Sequence, residues 1–85
     1  MLVQIRYFAS VREIVGVSQE THDLPEAVLT VGQAREWLRA QGGRYALALA
    51  AEKPLRMACN QVMCDGDTAL QPGCEVAFFP PVTGG

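Results

Sequence analysis

The sequence predicts an α+β domain, a mixed sheet of about five strands with one main helix packed across one face. Three observations carry this. Residues 2–8 alternate apolar and polar side chains in the period of a strand; residues 30–41 repeat apolar side chains at helical spacing behind a capping pattern; and most of the remainder falls into short runs closed by turn residues.

In order along the chain, Val3, Ile5 and Tyr7 share one face of the first strand, with Gln4 and Arg6 on the other, so the Val3 face should meet the core. Residues 9–16 carry Val11, Ile14 and Val15 at helical spacing and stop at Gly16. Residues 18–24 read as a polar, exposed second strand, ended by Pro25. Thr30-Val31-Gly32-Gln33 fits a capping box, in which the Thr30 hydroxyl accepts from the Gln33 amide and the Gln33 side chain reaches back. The helix that starts there places Val31, Ala34, Trp37, Leu38 and Gln41 on one face, with Trp37 and Leu38 as core knobs. Arg35, Glu36 and Arg39 take the outer face, and Gly42-Gly43 supplies a left-handed stop.

Residues 45–51 are ambiguous: Leu47 and Leu49 alternate as in a strand, whereas the alanines favour a short helix, which is the reading adopted. Residues 55–60 and 61–64 read as two short strands around a tight turn in which Asn60 tolerates positive φ. Asp65-Gly66-Asp67 and Pro72-Gly73 are further turns, and residues 74–79 form the last strand. Pro80-Pro81 cannot donate ladder hydrogen bonds, so pairing should end there.

A chain of 85 residues supports one domain, burying roughly 60–65% of its unfolded surface and leaving little room for an enclosed active site. Residues 1–85 are therefore read as a single domain, with 80–85 an extended tail. The net charge is −2 and the seven Lys and Arg are scattered from Arg6 to Arg56 without a run, which disfavours a nucleic-acid partner. The start lacks a basic region followed by an apolar stretch, and no segment approaches the ~18 apolar residues that span a membrane; the chain reads as soluble and cytoplasmic. Cys59, Cys64 and Cys74 are odd in number and lack Cys-x-x-Cys spacing, which argues against a disulfide framework or a zinc site and for three small buried apolar side chains. His22, without a Cys or Ser partner, reads as a solvated surface histidine.

The segment that composition does not explain is Val82-Thr83-Gly84-Gly85. Glycine runs at about 7%, so two in succession at a terminus arise by chance roughly once in 200 chains. Pro80-Pro81 fixes two backbone angles and holds the last four residues away from the sheet. Six residues beyond Phe79 at about 3.3 Å each give an arm of up to ~20 Å, enough to enter another protein's cleft. Without Cβ atoms, Gly84 and Gly85 pass a narrow channel and let a nucleophile or ATP reach the carboxylate. The chain has no phosphate-binding loop, so activation of that carboxylate must come from a partner enzyme.

The run from Leu70 to Gly85, ending Phe-Phe-Pro-Pro-Val-Thr-Gly-Gly, strongly resembles the small subunits of molybdopterin synthase. Tyr7 to Gly16 matches that family's N-terminal Phe-Ala-x-x-Arg-Glu pattern, and Asn60-Gln61 sits where the family has its Asn turn. The family usually has an acidic residue where this chain has Cys74. The resemblance implies a ubiquitin-like β-grasp fold and a sulfur-carrier cycle with no stably bound cofactor. In that cycle a ubiquitin-activating-like adenylyltransferase uses ATP on Gly85, and a persulfide sulfur donor converts it to a thiocarboxylate. Pro80, Pro81, Val82, Thr83 and Gly84 then thread into the large synthase subunit, in a two-plus-two complex, and sulfur passes to cyclic pyranopterin monophosphate. On this reading the acid-base residues lie on the large subunit and the chain is not an enzyme by itself. The sulfur carrier of thiazole synthesis and a ubiquitin-like protein modifier are the alternatives.

On the outward phase of each strand a polar residue is followed by a large apolar one: Arg6 then Phe8, Gln61 then Met63, Glu75 and Ala77 then Phe79. This suggests a docking patch of Phe8, Met63 and Phe79. Arg12 fits either an ion pair with a partner or a cap on its local turn.

Overall fold

The computed structural model describes residues 1–81. Five strands and three helices are arranged in the order β1 (Leu2–Tyr7), α1 (Ala9–Val15), β2 (Gln19–Asp23), α2 (Val31–Ala40), α3 (Gly43–Ala48), β3 (Arg56–Cys59), β4 (Val62–Cys64) and β5 (Glu75–Phe79). The strands form one mixed sheet of order β2-β1-β5-β3-β4, in which β5 runs parallel to β1 and antiparallel to β3. The last strand in sequence is thus the middle one in space.

The alternation in β1 works as the sequence predicts. Val3, Ile5 and Tyr7 are buried and meet Val76 and Phe78 of β5 in one core cluster with Val11 and Val15 of α1, Val31, Ala34 and Leu38 of α2, and Ala48 of α3. Gly16 ends α1 at φ +94°, its amide donating to the Arg12 carbonyl, a backbone conformation at which a Cβ would be strained. The capping box at α2 is present in full: the Thr30 hydroxyl accepts from the Gln33 amide and the Gln33 side chain accepts from the Thr30 amide, both at 3.2 Å. Gln33 also takes the Leu29 amide at 2.7 Å. In the β3–β4 hairpin, Asn60 and Gln61 both adopt positive φ, +50° and +67°, the two-residue primed turn whose twist matches the strands. Asn60 is fastened to β5 besides, its amide donating to the Glu75 carbonyl at 2.8 Å and its Oδ1 accepting the Glu75 amide at 2.9 Å.

Several expectations are corrected. The short helix covers residues 43–48 rather than 45–51, because Gly42 at φ +76° lets the chain turn straight out of α2 into α3. Leu38 is a core knob, but Trp37 is only half-buried and lies at the core's rim. Arg35 does not simply face solvent: its guanidinium donates to the carbonyls of Leu49, Ala50 and Lys53 at 3.0, 2.6 and 3.1 Å, tying the segment after α3 to α2. Of the three cysteines only Cys74 is fully buried; Cys59 and Cys64 are half-buried, as β3 and β4 lie toward the sheet's edge.

The second strand departs furthest from its reading as an exposed element. Its inward residues, Glu20 and His22, are half-buried. The Glu20 carboxylate accepts from the Tyr7 hydroxyl at 3.0 Å, from the Tyr45 hydroxyl at 2.7 Å and from His22 Nε2 at 2.9 Å. His22 stands edge-on to Trp37 and Tyr45, with ring centroids 5.6 and 6.2 Å apart. His22 is thus a packed histidine, not a solvated one. An inward strand phase made of polar residues is tolerated here because each finds a partner.

Candidate functional site

The helices and the core occupy one face of the sheet; the site lies on the other. Strand alternation and register place its residues in rows. Arg6 of β1 lies beside Ala77 of β5, Ala77 beside Ala58 of β3, and Ala58 beside Met63 of β4. One row further, Arg56 of β3 lies beside Phe79 of β5, and Phe8 continues the outward phase of β1. Ala58 and Ala77 are 8% and 7% exposed yet stand apart from the core cluster. Their small side chains are covered by the larger ones beside them on the same face.

The larger side chains have a defined geometry. Phe8 and Phe79 meet edge to face with centroids 6.3 Å apart, and the Arg6 guanidinium sits 5.0 Å from the Phe8 centroid, within cation–π range. Arg6 also pairs with Glu75 at 3.6 Å, while its Nε is shielded from solvent and finds no acceptor among the described residues. Met63 is 55% and Phe8 38% exposed, so two large apolar groups face outward on an uncovered sheet. Arg12 is exposed in the last turn of α1; its carbonyl accepts the Gly16 amide, and its side chain makes no hydrogen bond or ion pair among the described residues. The structure thus brings Phe8 and Phe79 together and sets Met63 on the same face two strands away, whereas Arg12 lies on α1, joined to the patch by its backbone amide, which donates to the Phe8 carbonyl at 3.3 Å.

The tail starts from this patch. Because β5 is central, the chain leaves the sheet between the end of β1 and the start of β3, so Pro80 comes directly after Phe79 with Phe8 on one side and Arg56 on the other. Pro80 and Pro81 are half-buried. Val82, Thr83, Gly84 and Gly85 lie outside the described residues. Sequence reasoning placed Ala77 on this face but missed Arg56 and Ala58, although alternation along β3 carried both.

Cys59 is no ready nucleophile. Burial pushes the Cys59 thiol above its ordinary value, and the neighbouring Cys74 pushes it further; a reactive cysteine needs the opposite shift. Among the described residues no group of three or more His, Cys, Asp and Glu side chains could hold a metal ion. No described helix is long and apolar enough to cross a membrane.

A mixed five-stranded sheet of this order, with its helices on one face and a C-terminal extension issuing from the middle strand, defines a ubiquitin-like β-grasp protein. The chain belongs to the ThiS family, whose model matches residues 5–85. It is 44% identical to the molybdopterin synthase sulfur carrier subunit of Escherichia coli strain K12, over 99% of this chain and 100% of the relative. It is 39% identical to the protein of the same name from Haemophilus influenzae, again over 99% and 100%. Its fold matches the crystal structure of SAMP1 from Haloferax volcanii with a TM-score of 0.76 over the whole of both chains, at 24% identity.

Proposed function

We propose that this chain is the sulfur carrier of molybdenum cofactor biosynthesis and that Gly85 is the group that carries the sulfur. A ubiquitin-activating-like enzyme uses ATP to adenylate the Gly85 carboxylate, and a persulfide donor supplies the sulfur that turns it into a thiocarboxylate. The loaded tail, Pro80 to Gly84, enters the large subunit of molybdopterin synthase, and sulfur passes to cyclic pyranopterin monophosphate. Phe8, Arg12, Met63 and Phe79 seat the domain on that subunit, in a two-plus-two assembly in the cytoplasm. The chemistry of proton transfer belongs to the large subunit.

One observation carries the reading: the exit of the central strand through Pro80-Pro81 from an uncovered aromatic patch, in a chain whose bacterial relatives are molybdopterin synthase sulfur carrier subunits. A rigid base beside a docking face delivers a side-chain-free tip to a fixed distance, which is what a carrier must do. The thiol pushed upward at Cys59 supports Gly85 over Cys59 as the sulfur-bearing site.

Intact-mass spectrometry of the protein made in a host with a working pathway tests this. A gain of about 16 Da at the C-terminal peptide, from sulfur replacing oxygen, is expected. An isopeptide adduct on lysine would support a protein modifier instead, and a tail that stays unmodified would overturn the carrier reading.

A further inference from the structure

Charge on the docking face is distributed against the trend of the whole chain. The protein carries a net −2, yet Arg6 and Arg56 flank the Phe8–Phe79 pair at the end of the sheet from which the tail departs, and Arg12 follows on α1, its amide bonded to the Phe8 carbonyl. Of the three arginines elsewhere, Arg35 binds three carbonyls of the segment after α3 and Arg39 binds both oxygens of Glu36, while Arg44, on α3, has no ion pair among the described residues. Those at the docking face are less engaged than Arg35 and Arg39. Among the described residues Arg12 and Arg56 have no ion pair, and Arg6 has one, with Glu75 at 3.6 Å, which leaves its Nε without an acceptor.

We propose that this face is charge-selective: Arg6 and Arg56 receive carboxylates that rim an apolar socket on the large subunit. The proposal rests on the reading of the chain as that subunit's partner. The Arg6 guanidinium is already held at the face by the Phe8 ring, 5.0 Å away, so little side-chain freedom is lost when an anion docks on it. Arg56 lies beside Phe79 in the β3–β5 register, so a carboxylate that reaches it sits next to the tail's base. A planar guanidinium fork fits a carboxylate in two parallel hydrogen bonds. Placed around an apolar centre, such pairs act mainly on the association rate and on the choice of partner.

Association kinetics with the large subunit from the same organism, at about 0.05 M and about 0.5 M salt, test this. The wild-type rate constant is expected to fall about tenfold as salt rises. Arg56→Gln, and the Arg6→Gln/Arg56→Gln pair, should associate about tenfold more slowly at low salt and lose most of the salt dependence. Arg39→Gln, on α2 away from the face, should behave as wild type. Circular dichroism checks the fold of the double variant, and the solvent-exposed Arg56→Gln stands by itself should Arg6 prove needed for folding. A wild-type rate indifferent to salt, or an Arg56→Gln variant with the wild-type rate and slope, overturns the charge-selective face and leaves the carrier reading in place. Failure of the wild-type chain to bind the large subunit at all overturns both.

Discussion

Phe8, one residue beyond the first strand, and Phe79, at the end of the fifth, meet edge to face with centroids 6.3 Å apart, although 71 positions separate them in sequence (79 − 8). The parallel pairing of β1 with β5 is what joins them, and Pro80 comes next in the chain. Whatever grips this aromatic pair also sets where the tail begins.

Phe79→Asp should therefore leave the fold intact and remove large-subunit binding, since the side chain is half-buried at the sheet's end rather than in the core. A loss of about 2 kcal/mol or more is expected for an aromatic anchor of an interface, with an unchanged circular dichroism spectrum. Isothermal calorimetry reads it, and wild-type affinity would remove the patch from the docking surface.

Removal of Gly85 should abolish cofactor production in a strain that depends on this chain, while thermal stability stays within about 0.5 kcal/mol, as for a surface change away from the core. Molybdoenzyme activity in the complemented strain is the measurement. Full activity without the last glycine would exclude it as the sulfur-bearing group.

Glu20 should govern acid stability. Burial alone pushes its carboxyl up, but the hydrogen bonds from His22, Tyr45 and Tyr7 outweigh this and hold it below the ordinary carboxylate range. The unfolded chain then binds the proton more readily, so the contribution of Glu20 is complete above the ordinary value of about 4.3 and is lost as pH falls through the lower folded value. Urea unfolding should show Glu20→Ala less stable by about 1–3 kcal/mol at neutral pH, because Tyr7 loses its acceptor in the core. Below pH ~4 the gap to wild type should narrow; a gap independent of pH would show that packing alone is at stake.

Arg35→Ala should cost about 1–3 kcal/mol by stranding carbonyls that three hydrogen bonds now satisfy. Arg35→Lys should recover only part of this, because an ammonium lacks the planar fork. Hydrogen exchange should quicken in residues 49–53 first; uniform quickening across the sheet would refute a local role.

What the sequence disclosed were the features written in local pattern. The alternation of Val3, Ile5 and Tyr7, the Thr30–Gln33 box and the Asn60 turn each rest on residues within a few positions of one another, and each is found in place. The outward Phe8, Met63 and Phe79 were legible for the same reason. Long-range polar partnerships were not: nothing near Glu20 in sequence signals that hydroxyls from Tyr7 and Tyr45 will meet on it, nor that Arg35 will reach carbonyls 14 to 18 positions away. Polar β2 read as exposed because its partners came from other elements. The arginine rim was hidden likewise, since Arg6 and Arg56 become neighbours of one aromatic pair only after β1 and β3 have both paired with β5.

The central position of β5 also has a mechanical meaning. A pull on the chain beyond Phe79 runs along the axis of a strand hydrogen-bonded on both flanks, to β1 and to β3. That tension loads the two ladders in shear, where many bonds must yield together, rather than peeling them one at a time from an edge. A pull at the end of β5 therefore meets the resistance of both ladders at once.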